Sequence, residues 1–270
     1  MKSGAKINMR AHKISKLIHQ TVTQKDQLTA EILSNIQYIK KLNPGWEHRL
    51  YDEKERTNYI RKNFSAEIYK WYTKISEQYG PAKADLFRYL VIYKEGGVYL
   101  DIKSSMLKPL DEIILESDSC LLSYWPEKLL ESFGHHPELA AYPKGEFQQW
   151  FLISEPLHPY FKAVINDVIS KLKSYSPSVE GVAKPAVLKT TGPITFTLTV
   201  GSCLYMMKHR IVDSRSDLGL VYTIYENIDP MMHVNNNPNH YSKLSTPLIR
   251  QGPRELLLRT IRKMRKYISN

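Results

Sequence analysis

The residues best placed to do chemistry lie in one stretch, Lys83 to Ser105, KADLFRYLVIYKEGGVYLDIKSS. Asp85 and Arg88 are three residues apart, so on a helix they share a face, and Tyr89 joins them at the next position. Gly96-Gly97 ends that helix, and Val98 to Ile102 reads as a short strand with Asp101 near its end. In an open α/β sheet, ligands gather beyond the carboxyl ends of strands, so an acid placed there faces the crevice. Asp101 is therefore the foremost candidate for ligand contact. For Asp85 and Arg88, spacing alone describes an ordinary helical ion pair before it describes a ligand site.

The elements that must position these groups follow from periodicity and breakers. Ile14 to Val22 has the β-branched, apolar content of a strand, Lys25 to Lys41 that of an amphipathic helix, and Asn43-Pro44-Gly45 breaks it. Trp46 to Tyr51 alternates as a second strand, and Asp52 is placed to cap a helix through about Lys62. Helices are expected over Ala66 to Tyr79 and Ala82 to Lys94, then strands at Cys120 to Tyr124 and Trp150 to Ser154. A helix from Pro159 to Tyr175 follows, with a polar connection at Ser176 to Pro185. Next come a helix from Pro193 to Met207, strands at Arg210 to Val212 and Leu220 to Ile224, and a polar loop at Asn235 to Ser242. Alternating strands and helices predict an α/β sandwich with a mostly parallel sheet, as one domain over 1–249 and a C-terminal helix over 250–270.

Composition narrows the class. With 270 residues, 42% apolar, 24% charged and 11% aromatic, the chain is neither collagenous nor a disordered polymer. Two cysteines, Cys120 and Cys203, make no disulfide framework and show no zinc spacing. The paired His135-His136 point in different directions and suit an acceptor groove or solvent better than a metal. The net charge of +11 is uneven: Arg250 to Asn270 alone carries +6, with Leu257, Ile261, Met264 and Ile268 on one helical face. Such a helix either docks on the domain or rests on an anionic membrane surface. Nucleic acid is not expected, since no zinc-finger, RRM or KH signature is present. The least charged long stretch, Thr191 to Met207, falls short of a membrane span, and no signal peptide is read at the start. The cytoplasm, with the inner face of its membrane, is the expected location.

The stretches Ala84 to Tyr89 and Tyr93 to Asp101 resemble the signature of glycosyltransferase family 32, the DXD-containing sugar transferases related to yeast initiating mannosyltransferases and to the glucosylating clostridial toxins. Leu17 to Thr21 is similar to the family's opening strand, Asn43 to Trp46 to its segment before the second strand, and Thr191 to Pro193 to its later TGP. These landmarks stand in the family's order. The resemblance implies a GT-A (Rossmann-like) fold, a UDP- or GDP-linked sugar donor, and transfer with retention to a hydroxyl of a glycan or glycolipid, as in surface polysaccharide synthesis. It implies that Leu17, Ile18, His19 and Gln20 lie against the nucleobase and ribose. Asp85 and Arg88, with Tyr89 beside them, would hold the donor sugar, and Asp101 would be the first acid of the DXD. His240, Ser242 and Lys243 stand where family members fold a loop over the diphosphate, although the family's Trp is missing and a polar surface loop fits as well.

One position departs from the pattern. The DXD should end in a second acid that holds Mn2+ or Mg2+, and the chain reads Asp101-Ile102-Lys103. If the strand continues, residues 101 and 103 project to one side, which would bring the Lys103 ammonium to the metal's place beside the leaving diphosphate. Three readings stand: Lys103 replaces the metal; Asp101 binds it with help from a later loop; or Lys103 points away, leaving an inactive nucleotide-sugar-binding module. On the first reading Asp101, Lys103 and Arg88 form the catalytic group. No residue is singled out as a nucleophile, Glu155 and Asp229 included. Gln148, Gln149 and Trp150 border the acceptor side, with Trp150 a candidate core residue.

Overall fold

The structure is a computed structural model that describes residues 13–129, 133–225 and 240–250. Strand β1 (Leu17–Thr21) is followed by a short 3-10 turn, Lys25–Gln27, and then α1 (Ala30–Leu42). The helix expected from Lys25 to Lys41 is split because Thr29 takes extended backbone and its hydroxyl accepts Ile32 N–H, an N-cap that starts a new helix. After β2 (Glu47–Tyr51), α2 (Glu53–Asn63) begins on Asp52 as expected, with a capping box to Glu55. Helix α3 (Ala66–Lys74) stops short of Tyr79, since Ile75 bridges Ile249 instead. Helix α4 (Gly80–Glu95) carries Pro81 in its first turn and buries residues on every side, so it runs through the core rather than over it.

Gly96 and Gly97 turn the chain from α4 into β3 (Gly97–Leu100) with φ of +67° and +90°. A Cβ on Gly97 would stand 2.5 Å from the Leu17 carbonyl oxygen, inside the β1–β3 pair. Gly97→Ala is expected to cost more than about 3 kcal/mol, from backbone strain added to the displacement of β1. A urea titration checks this, and a loss below about 1 kcal/mol would show that the turn can rearrange.

The remaining elements are β4 (Ser105–Met106), α5 (Leu110–Ile113), β5 (Cys120–Leu122), α6 (Glu127–Leu129), β6 (Phe151–Ser154), α7 (Pro159–Ser174), α8 (Ala183–Thr190), α9 (Pro193–Ser202), β7 (Arg210–Ile211) and β8 (Leu220–Val221). The main sheet has six strands in the order β2-β1-β3-β6-β5-β7. The pairs β1–β2, β1–β3 and β5–β7 are parallel, while β6 lies antiparallel to both β3 and β5. The sheet is thus mixed and mostly parallel. Leu220–Val221 does not join it as a late strand but pairs with β4 in a separate two-stranded sheet. Helix α9 ends at Ser202, short of the expected Met207, and a 3-10 turn at Leu204–Met206 continues the chain. No helix among the described residues is long and apolar enough to cross a membrane.

Strand alternation divides the core into two layers. Tyr99, Leu152, Cys120 and Leu122 face α4, α7 and α9, whereas Ile18, Val98, Leu100, Phe151, Ile153 and Leu121 face the α1 side. Because β1 is flanked by β2 on one side and β3 on the other, strand order reverses between β1 and β3. The crevice beyond their carboxyl ends is the topological switch point, and Asp101 immediately follows β3.

Candidate functional site

Asp101 is held from four directions. Its N–H donates to the Trp150 carbonyl at 2.7 Å, prolonging the β3–β6 ladder by one bond. Its own carbonyl accepts Gln20 Nε2 at 3.3 Å. The Tyr99 hydroxyl donates to Oδ1 at 3.1 Å, and Arg88 Nη2 lies 3.4 Å from the same oxygen. Tyr99, two residues before Asp101 on the same strand face, has its ring 4.9 Å from the Arg88 guanidinium. The Asp101 side chain is 38% exposed, against 8% for Asp85 and 9% for Arg88, so it is the member of the cluster that a ligand can reach. Partial removal from water raises its carboxyl above the usual range, and Arg88, the Tyr99 hydroxyl and Lys103 pull it down.

The expected face of α4 forms, but inward. Arg88 Nη2 pairs with Asp85 Oδ1 at 3.1 Å, and Nη1 donates to the Gln149 carbonyl at 2.6 Å. Asp85 Oδ2 accepts the Thr191 hydroxyl at 2.9 Å, which joins the TGP segment to α4 across 106 residues of sequence. Burial pushes the Asp85 carboxyl up to about 6 against the pull of Arg88 and Thr191, so the pair begins to neutralise below that pH. Arg88 keeps its charge. Its Nε is buried with no protein partner among the described residues. Arg88 and Asp85 thus brace Asp101 from beneath, and Arg88 acts through the carboxylates rather than as an exposed hand. Tyr89 does not line the crevice: it is fully buried, its hydroxyl donating to the Thr191 carbonyl and accepting Gln149 Nε2, with its ring stacked on Phe196.

The β1 residues implied for the nucleobase are likewise engaged. Ile18 lies in the core, and His19 and Gln20 are fully buried. Gln20 Oε1 accepts from His48 Nε2 while its amide holds the Asp101 carbonyl. His19 Nε2–H donates to the Gly96 carbonyl at 3.1 Å, and the Tyr51 hydroxyl lies 3.3 Å from Nδ1. These side chains build the floor under Asp101 and the double glycine instead of presenting themselves to a ligand. Strand β1 is central, so both of its faces are covered.

His19 also sets a pH dependence. Burial lowers its pKa from 6.5 to about 4, so the unfolded chain takes up a proton in that window that the native state refuses. Its contribution to stability is complete above pH 6.5 and is lost as pH falls towards 4. Asp85, raised to about 6, works in the opposite sense, since its protonation favours the native state as pH falls from 6. Comparing wild type with His19→Gln isolates the first effect. Between pH 7.5 and 5.0 the wild type is expected to lose about 2 kcal/mol more than the variant, measured by urea unfolding. Parallel losses would contradict the assignment.

The extended run expected through Lys103 is absent. Strand β3 stops at Leu100, and Asp101 to Ser104 closes a turn in which Ser104 N–H donates to the Asp101 carbonyl at 2.9 Å. The turn redirects the chain so that Ser105–Met106 can pair with β8. Lys103 still feels the Asp101 charge. Half-buried, it has its pKa lowered by lost solvation and raised by Asp101, and its ammonium lies 6.0 Å from the Tyr225 ring centre. Among the described residues it makes no ion pair.

Ser242 and Lys243 lie in a short 3-10 turn, Tyr241–Lys243, that His240 caps, its Nδ1 bonding the Ser242 hydroxyl at 2.8 Å. Lys103 and Lys243 both lower the His240 pKa, after the larger effect of burial, and Asp85 and Arg88 both act on Tyr241. The segment therefore approaches the cluster with Tyr241. Residues 226–239, and residues 251–270 where the basic helix is expected, lie outside the described residues.

A divalent cation prefers several oxygen ligands. Among the described residues no group of three or more His, Cys, Asp or Glu gathers to hold one. Asp101 Oδ1 is shared by a guanidinium and a phenol, both Asp85 oxygens are occupied, and an ammonium replaces the second acid. This donor set does not fit the Mn2+ or Mg2+ site that a full DXD would give.

Several members of the site gave no signal at the level of motifs. Tyr99 is legible in retrospect from its i−2 relation to Asp101. Tyr222, whose carbonyl accepts the Ser104 hydroxyl at 2.9 Å, is far away in sequence and carries no such pattern.

The fold is that of a GT-A glycosyltransferase. It covers 70% of this chain and 69% of a solved structure titled "PaToxG Glycosyltransferase", with a TM-score of 0.51 and 14% identity. Residues 29–120 match the family described as "Glycosyltransferase sugar-binding region containing DXD motif", and in that region the chain is similar to the DXD-containing glycosyltransferases of family 32. It is 29% identical over 174 residues to an initiation-specific alpha-1,6-mannosyltransferase of Candida albicans, covering 58% of this chain and 44% of that protein. It is 25% identical over 201 residues to inositol phosphoceramide mannosyltransferase 1 of Schizosaccharomyces pombe, covering 72% and 53%. The chain spans about half the length of these curated relatives.

Proposed function

We propose that the chain moves a sugar, with retention, from a nucleoside diphosphate donor to a hydroxyl of a glycan or glycolipid. The observation that carries this reading is one reachable carboxylate, Asp101, at the switch-point crevice, contacted by Arg88 and Tyr99 and held through its backbone by Gln20 and Trp150. In such a transfer the bond from the anomeric carbon to the diphosphate oxygen breaks, the acceptor oxygen bonds to that carbon, and the acceptor's proton passes to the departing diphosphate. Negative charge grows on the diphosphate and must be balanced. Lys103, half-buried and without a carboxylate in ion-pair contact, is the cation available for this. Asp101 orients the sugar, and Arg88 fixes Asp101. Asp85 has both oxygens engaged and is no free nucleophile, which accords with a reaction on one face of the sugar. The names of the relatives favour mannose as the sugar, with GDP as its ordinary carrier.

Released nucleoside diphosphate, measured over a panel of UDP- and GDP-sugars with Mn2+ or with EDTA, tests the proposal. One donor is expected to turn over, and to do so in EDTA. The lysine at position 103 also sustains a second reading, an inactive nucleotide-sugar-binding module. Tight nucleotide binding without turnover of any donor would favour that module, and absence of both would reject the donor site.

A further inference from the structure

A second buried carboxylate lies near the crevice and takes no part in the Asp101 cluster. Glu146 is 5% exposed, accepts Trp125 Nε1–H at 2.7 Å, and pairs with His136 Nε2 at 2.8 Å. A carboxylate is tolerated away from water only where polar partners satisfy it. Around this group stand four aromatic rings. Trp125 stacks on Phe133 with centroids 5.0 Å apart, and Tyr222 meets Trp125, Trp150 and Phe133 edge-on at 5.2, 5.6 and 6.0 Å. Tyr222 is 38% exposed, so the cluster reaches solvent through that ring.

Two further atoms on the same segment are buried without a protein partner among the described residues, Gln148 Oε1 and Trp150 Nε1. Buried polar groups are nearly always paired, and these two are an acceptor and a donor. Tyr222 also ties the cluster to Asp101. Its carbonyl accepts the Ser104 hydroxyl at 2.9 Å, the Lys103 carbonyl accepts Ile224 N–H at 2.9 Å, and the charges of Asp101 and Glu146 both act on its phenol.

We propose that the Glu146–His136 pair, the Tyr222 ring and the unpaired atoms of Gln148 and Trp150 form the acceptor subsite, built for a polyhydroxylated ring. Aromatic surface covers the ring's C–H face, and the polar groups take its hydroxyls, the usual division of labour in small-ligand sites. The shared chemistry admits two sources, a pyranose or a cyclitol. This inference rests on the transferase reading for its role but is tested separately from it.

Methyl α-mannoside and myo-inositol are titrated into the full chain with saturating GDP or UDP, with tryptophan fluorescence as the readout because Trp125 and Trp150 flank the subsite. Saturable binding of either probe is expected, the mannoside alone marking a pyranose site and inositol alone a cyclitol site. Tyr222→Ala is expected to weaken that binding at least about tenfold, while Tyr222→Phe, which keeps the ring, restores it. Glu146→Gln keeps an acceptor for Trp125 but weakens the pairing with His136, and the same loss is expected. Tyr222, being partly exposed, provides the test should the Glu146 variant fail to fold. If neither probe binds, or if binding is unchanged in Tyr222→Ala, the subsite is overturned. Nucleotide affinity is measured in the same samples, so a donor that fails to bind counts against the donor reading, and a probe that still binds upholds the subsite.

Discussion

Asp101→Asn is expected to lower donor turnover by at least about 10²–10³-fold in a protein that remains folded, because it removes the one carboxylate of the cluster that a ligand can reach. The amide can still accept from Tyr99, so the local scaffold survives, while the negative charge opposite Arg88 disappears. Asp101→Ala should be at least as severe. Steady-state release of nucleoside diphosphate, with thermal unfolding as the check on folding, decides the matter. Turnover within about threefold of wild type would mean that the acid of the motif does not face the donor.

Arg88 is expected to divide stability from activity. Its guanidinium serves Asp85, Asp101 and the Gln149 carbonyl at once, so Arg88→Ala leaves one fully buried carboxylate and one partly buried carboxylate without a counter-charge. The expected loss is about 3–5 kcal/mol, seen as a lowered urea midpoint. Arg88→Lys restores the charge but not the planar fork, and a single ammonium cannot make all three contacts. That variant should fold with most of its stability and still lose more than about tenfold in turnover through a misplaced Asp101. Equal activity for Arg88→Lys would show that charge alone suffices and that the fork is incidental.

Much of this arrangement is legible in the sequence, because local rules govern the parts concerned. Asp52 announces the start of α2, Gly96-Gly97 announces a turn that only glycine accepts without strain, and the spacing of Asp85 and Arg88 gives their shared face. The meeting of Thr191 with Asp85 is a tertiary event, so the sequence shows both segments without showing that one hydroxyl joins them. The insertion of β6 antiparallel between β3 and β5 is equally silent, since a buried strand carries the same apolar run in either direction. The β1 landmark misleads in an instructive way. Leu17 to Gln20 is the expected strand, yet its side chains hold Asp101 and Gly96 in place and leave little for a base to touch. The turn at Asp101 to Ser104 is missed because pairing with β8, more than a hundred residues later, ends the strand early. Glu146 and Tyr222 sit in stretches with no motif at all, and only packing brings them towards Asp101.

We propose that Lys103 supplies the positive charge that a metal held by the family's second acid would bring. It is tested most directly by the affinity of GDP and UDP for the wild type and for Lys103→Asp, each in EDTA and in Mn2+. The wild type is expected to bind one of the two in EDTA, with a Kd that Mn2+ changes by less than about threefold. Lys103→Asp is expected to bind at least about tenfold more weakly in EDTA and to recover with Mn2+. Wild-type binding that appears only with Mn2+ would contradict it and return Asp101 to a metal site.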